Sequence, residues 1–243
     1  MPTQFAAVDS FHGSAPEAAK AWLLIGHPGP WPAFDLPLDL PKDLAEYSAR
    51  ALLHGVRTQL IRRTDRRGRS AQGVRPRPEE PSAVILAGGP ADSRWMVRLE
   101  PDALPELLRT DPARYLEPSP PISGVKETTA LLVCTHGRRE VCCAQYGGPV
   151  ARALAAEYGP LVWETTHVGG DEFAANLVIL PSGLYFGRLD PKEAVDVVGR
   201  ALMGDLDYDR YRGTAGQSPA IQVADCLLRR TFRQEAAQLT TAW

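Results

Sequence analysis

A chain of 243 residues with 44% hydrophobic and 23% charged content can bury a sizeable core, as one large unit or as two smaller ones. Its formal net charge of −2 gives no overall field to recruit nucleic acid, and no apolar run approaches the roughly 18 residues of a membrane span. The N-terminal stretch lacks the basic start and apolar centre of a secretory signal, so the cytoplasm is the expected compartment, with neither nucleic acid nor membrane among the expected partners.

In chain order, AWLLIGH (21–27) is a short apolar run stopped by PGPWP, which reads as a buried strand and a turn. LPKDLAEYSARALLHG (40–55) has apolar residues at helical spacing, an acidic first turn and a terminal glycine, and reads as a helix. TQLIRRT, SAVILAG and RWMVRLE follow as three strands. The Arg-, Pro- and Gly-rich stretch between the first two, RRTDRRGRSAQGVRPRPEEP, reads as a solvated loop or, functionally, as a docking patch for an acidic partner. A proline cluster, LEPSPPISG (116–124), divides the chain into an N-terminal α/β lobe (1–118) and a C-terminal lobe with a helical extension (119–243).

The second lobe repeats the alternation. TALLVCTH is a strand, GGPVARALAAEYG a helix, LVWETTH a strand and DEFAANL a short helical turn. LVILPSG and LYFGRL form a hairpin turning at 181–183. DPKEAVDVVGRALMG is a helix with Asp190 as N-cap and Pro191 at its first position. A polar connection, DLDYDRYRGTAGQSP, leads to a final helix near 221–238. Strand, helix, strand, short helix, hairpin, helix is the order of a thioredoxin-like domain. The first lobe follows a looser version of that order, as duplication of a common ancestor would leave it. The expected fold is therefore α/β and two-lobed, with a thioredoxin-like C-terminal lobe.

The chemistry is concentrated in LLVCTHGRREVCC, which holds three of the four cysteines. Clustered thiols in a reducing compartment are metal ligands or redox groups more often than disulfides. Cys226, alone in VADCLLRR, reads as a small buried hydrophobe. Eight residues separate Cys134 from Cys143, room for a loop around a bulky inorganic cofactor. A zinc knuckle has two to four between its cysteines, and a thioredoxin motif two. Adjacent cysteines point apart, so Cys142 and Cys143 are not expected to share a metal. The other half of the site is sought in TTHVGGDEFAAN, where His167 ends a strand, Gly169 and Gly170 permit a tight turn, and Asp171 follows. His136 reads as a loop group, Arg138 and Arg139 as solvated or docking charges, Trp163 as core and His27 as structural.

CTHGRREVCCA followed by HVGGDEFAANLVILPSGLYFGRL closely resembles the sucrase/ferredoxin-like family, a group of thioredoxin-like ferredoxins. HPGPW and RGTAGQSPAIQ extend the resemblance over most of the chain, although its specificity lies in the two loops. The resemblance implies a [2Fe–2S] cluster and one-electron transfer between donor and acceptor proteins that the sequence does not name. It implies that Cys134 and Cys143 hold one iron, and that an HxGGH loop supplies two histidines to the other. The first histidine matches His167, and the second position is here Asp171. The ligand set it suggests is Cys134, Cys143, His167 and Asp171, with Cys142 as the alternative fourth ligand. Two rival readings are a zinc-binding structural or hydrolytic metalloprotein and a thiol oxidoreductase. The long Cys–Cys spacing counts against the first and the absence of C-x-x-C against the second. No paired carboxylates form a glycosidase motif, and an electron carrier is expected rather than a catalyst.

Overall fold

The computed structural model describes residues 11–64 and 83–240. The Arg-rich stretch read as a docking patch lies outside the described residues, apart from its first three. The first strand, β1 (Ala21–Gly26), is buried at every position, as its uninterrupted apolar run requires. Helix α1 (Lys42–Leu52) turns Leu44, Tyr47, Ser48 and Ala51 inward at helical spacing and leads to β2 (Val56–Arg63), parallel to β1. On the other side of β1, β3 (Val84–Gly88) pairs antiparallel and is followed by β4 (Trp95–Leu99). Helix α2 (Leu104–Arg109) and the two-residue edge strand β5 (Val125–Lys126) close the first half.

The second half repeats this plan. Strand β6 (Ala130–Cys134), helix α3 (Val141–Tyr158) and β7 (Val162–Thr165) form a parallel βαβ unit. Strands β8 (Leu177–Leu180) and β9 (Leu184–Phe186) add an antiparallel hairpin on the other side of β6. Helix α4 (Ala194–Leu202), edge strand β10 (Tyr211–Thr214) and helix α5 (Pro219–Thr240) complete the chain. The orders β2-β1-β3-β4 and β7-β6-β8-β9 are the same, and antiparallel pairing of β2 with β7 joins them into one ten-stranded mixed sheet. None of the helices among the described residues is long and apolar enough to cross a membrane.

Strand alternation decides where the cysteine of β6 points. Leu131 and Val133 face α3, packing with Val150, Ala151 and Leu154, whereas Ala130, Leu132 and Cys134 face the opposite side. That opposite side is one continuous core across both halves, in which Trp22, Leu24 and Ile61 of the first half meet Leu132, Cys134 and Trp163 of the second.

The structure departs from the sequence reading at four places. Helix α3 begins at Val141 rather than at 147 and carries Pro149 inside it. Helix α4 begins at Ala194; the residues after Asp190 form a preceding turn, in which the Asp190 carboxylate accepts from the Lys192 N–H and Glu193 returns a bond to the Asp190 N–H. The polar connection contains β10, paired with β9. Helix α2 and strand β5 carry too few residues to show a period.

Candidate metal centre

Cys134 is the last residue of β6, and Cys143 lies in the first turn of α3. What lets these two elements meet is Gly147. A Cβ at that position would collide with the Cys134 carbonyl oxygen, so only glycine allows the helix to lie this close to the strand end. Both thiols are 1% exposed.

His167 arrives from the end of the neighbouring strand, β7. Its N–H donates to His136 Nδ1 at 3.2 Å, and its carbonyl accepts from Arg57 of β2 at 2.9 Å. Because a backbone N–H occupies His136 Nδ1, the proton of that ring sits on Nε2, which donates to the Pro32 carbonyl at 2.8 Å. Burial lowers the pKa of His136 and keeps it neutral. Both its nitrogens are committed to backbone, so His136 positions His167 and ties the site to the first half of the chain. After His167, Gly169 and Gly170 adopt φ of 93° and 72°, a left-handed pair that turns the chain into a short 3-10 segment, Asp171–Phe173.

The donor atoms of Cys134, Cys143 and His167 all lie within 4.8 Å of one another. Cys143 Sγ is 3.7 Å from His167 Nδ1, and the other ring nitrogen, Nε2, is 3.9 Å from the Asp171 carboxylate. The imidazole thus has a thiol on one nitrogen and a carboxylate on the other. Cys142 stands outside the trio, its Sγ directed at the Asp171 backbone carbonyl at 3.5 Å. Cys226 lies elsewhere, 3.5 Å from His12 Nδ1.

The electrostatics favour a thiolate at Cys134. The Cys143 thiol donates to it, which outweighs the desolvation that opposes the charge. His167 and the backbone N–H groups of His136 and Val168 add further bonds to the same sulfur. The Cys134 pKa falls well below the ordinary thiol value, while that of Cys143, as the donor of the pair, is pushed up. Two amides aimed at one buried sulfur describe a place built for a negatively charged ligand atom.

Outside this trio the surface opens into a groove of about 1070 Å³ that reaches His167 and His136 and is lined by Phe34, Leu38, Arg57 and Arg139. Phe34 and Leu38 are exposed, and Arg139 lies 4.2 Å over the Phe34 ring. Sequence reading identified Cys134, Cys143, His167 and Asp171 but not the groups that hold them in place: Gly147 and Arg57, and Arg212 and Asn176, whose side chains donate to the Gly169 and Gly170 carbonyls. For Arg212 the available signal was its place in RGTAGQSPAIQ, a stretch already noted for its resemblance.

The profile of the family described as sucrase/ferredoxin-like matches residues 17–213. The chain belongs to that family. A curated protein, altered inheritance of mitochondria protein 32 of Meyerozyma guilliermondii, is 32% identical to this sucrase/ferredoxin-like chain over 94 residues. The match covers 34% of this chain and 33% of that protein, so it spans only a third of the relative's length. Among solved structures, the thioredoxin-like [2Fe–2S] ferredoxin from Aquifex aeolicus is 18% identical, with a TM-score of 0.33 over 38% of this chain and 96% of that one. A cysteine-to-serine variant of the same ferredoxin gives 15% identity and a TM-score of 0.31, over 35% of this chain and 97% of that one. At that distance these two structures carry no argument about the site.

Proposed function

We propose that this protein is a one-electron carrier that holds a [2Fe–2S] cluster with Cys134, Cys143, His167 and Asp171. The observation that carries this reading is the convergence of two buried thiols and an imidazole from adjacent strand ends, with backbone amides directed at the Cys134 sulfur. The donor chemistry fits: thiolates are the usual ligands of cluster iron, imidazoles replace two of them in one class, and hydrogen bonds to sulfur tune the couple. His167 Nε2 and the Asp171 carboxylate, 3.9 Å apart, are near enough to share one metal. Donors at about 2.1 Å from a tetrahedral metal lie about 3.4 Å from each other.

A cluster held here would supply a one-electron couple. The chain's own part is to favour the thiolate at Cys134, to keep both sulfurs away from water, and to fix the imidazole through His136 and Arg57. It also leaves His167 at the floor of a groove that a redox partner can reach. The compactness of the trio favours one second reading, a single zinc ion, whose ligand atoms would be about as closely spaced. Analysis of anaerobically purified protein separates the two. Iron and acid-labile sulfide in equal amounts, a brown colour and an electron-paramagnetic-resonance signal on reduction are expected. Colourless protein carrying stoichiometric zinc and no sulfide would overturn the proposal.

A further inference from the structure

Arg212, in the middle of β10, is 1% exposed. Its Nε donates to Ser14 Oγ at 2.9 Å and its Nη2 to the Ser14 carbonyl at 2.8 Å. Its Nη1 donates to the Gly169 carbonyl at 3.0 Å and to Asn176 Oδ1 at 2.8 Å. Asn176 then passes the restraint on, its Nδ2 donating to the Gly170 carbonyl at 2.7 Å. Both carbonyls of the glycine turn between His167 and Asp171 are thereby held by one guanidinium and its amide partner. The space is made by glycine: a Cβ on Gly170 would collide with the guanidinium, and one on Gly187 would lie 2.8 Å from Arg212 Cδ. The rings of Phe173 and Tyr185 stand 5.1 and 5.7 Å from the charged carbon.

Among the described residues, no carboxylate forms an ion pair with this buried cation. Burying an unpaired charge is costly, and neutral donors could hold the same carbonyls. Burial shows in the pKa, lowered to about 10. A positive charge is retained at such a cost where anionic groups stand nearby, and here these are the exposed carboxylate of Glu172 and, on the buried side, the Cys134 thiolate of the site. We infer that Arg212 is a positioning residue for the metal centre, clamping the Gly169–Gly170 turn and supplying the buried positive charge that favours the reduced form. The charge half of this inference rests on the cluster proposed above. The clamp half rests on the hydrogen bonds alone.

The sign follows from Coulomb's law. An added electron makes the site more negative, and a fixed cation in a medium of low dielectric constant stabilises that state more than it would in water. Arg212→Gln removes the charge and the fork of donors, whereas Arg212→Lys keeps the charge and loses the fork. In cluster-loaded protein, redox titration should show at least a tenfold loss in the equilibrium constant for reduction in Arg212→Gln, about 59 mV for one electron. Arg212→Lys should stay within threefold of the wild type. In metal-free protein, amide hydrogen exchange over residues 168–171 should accelerate in both variants. Asn176→Ala should accelerate it as well, and serves as the clamp variant should Arg212→Gln not fold. An unchanged potential in folded, loaded Arg212→Gln would overturn the charge role, and so would a tenfold loss in Arg212→Lys. Unchanged exchange in Arg212→Lys and Asn176→Ala would overturn the clamp. Wild-type protein without iron or sulfide would sink the proposed function and the charge role with it, leaving the exchange measurement to decide the clamp.

Discussion

Cys134, Cys143 and Cys226 are all buried, yet only the first two belong to a group of three donors; Cys226 has the single imidazole of His12 beside it. Serine at position 134 or 143 is therefore expected to lower iron and sulfide content several-fold, while Cys226→Ser leaves it unchanged; normal occupancy in Cys143→Ser would contradict the assignment. Cys142→Ser should keep the cluster, because that thiol already points at a carbonyl outside the trio. Asp171→His tests the remaining position. Exchanging a carboxylate for a neutral imidazole removes one negative charge from the site, so the potential should rise. It should move toward the class in which two histidines replace two cysteines and potentials climb from about −400 mV to roughly −150 to +300 mV. Identical potentials would assign Asp171 to orienting the His167 ring from its far nitrogen, a common role for a carboxylate beside a ligating histidine. These residues could be picked out in the sequence because cysteine and histidine at strand ends are few. Arg212 was marked only by its place in RGTAGQSPAIQ; its burial and role depend on the packing of Phe173, Tyr185 and Ser14 around it, which no local pattern shows.

At the scale of elements, the distance between β6 and α3 governs the distance between Cys134 and Cys143. Gly147→Ala places a methyl group against the Cys134 carbonyl, and overpacking of this kind costs about 1–3 kcal/mol. The melting temperature should drop by several degrees, at about 2–4 °C per kcal/mol for a chain of this size, and cluster occupancy should fall with it. Gly148→Ala is the control, since its Cβ would meet only the Arg152 side chain at 3.5 Å, and alanine favours a helix interior. Equal stability and occupancy in the two variants would show that the close approach does not matter. Gly147 and Pro149 also explain why the start of α3 was misread. Both are ordinary helix-boundary signals, but the proline falls within a helix already committed by the turn at Val141 and by its packing on β6. The strands of continuous apolar residues, β1, β3, β6 and β8, were readable because runs this short and bounded by turn residues suit a doubly covered strand better than a buried helix. Strand β10, YRGT, was not readable. Its pairing with β9 and the burial of its arginine come from neighbours distant in the chain.

Across the whole molecule, four buried tyrosines, Tyr47 and Tyr115 in the first half and Tyr185 and Tyr211 in the second, have their pKa values raised by burial. For Tyr211 the value is about 12. The unfolded phenols ionise near pH 10 and the folded ones do not, so their contribution is complete below about pH 10 and is lost above it. For each such group the loss approaches 1.4 kcal/mol per pH unit, about 3 kcal/mol for Tyr211 by pH 12. Arg212, lowered to about 10, acts in the opposite direction, as do the less buried Arg63 and Arg94, whose pKa values burial also lowers. Urea midpoints measured from pH 10 to 11, above the titration of the unfolded thiols, should fall, less so in Tyr211→Phe; midpoints that rise above pH 10 would contradict this. Whether the two halves fall together depends on the β2–β7 seam. There Ile61, Arg62 and Arg63 pair with Thr165, Glu164 and Trp163, and Arg62 bonds the Glu164 carboxylate at 2.7 Å. The core face that holds Cys134 also contains Trp22, Leu24 and Ile61. Cutting the chain at 118/119 would expose the β7 edge and bare that face. It would also remove Arg57 from the His167 carbonyl and Pro32 from His136. The intact chain is therefore expected to unfold in a single calorimetric transition, and residues 119–243 expressed alone to aggregate or lack fixed packing and to hold no cluster. Two separate transitions, or a fragment that loads iron and sulfide as fully as the whole chain, would show instead that each half folds alone and that the seam only docks them.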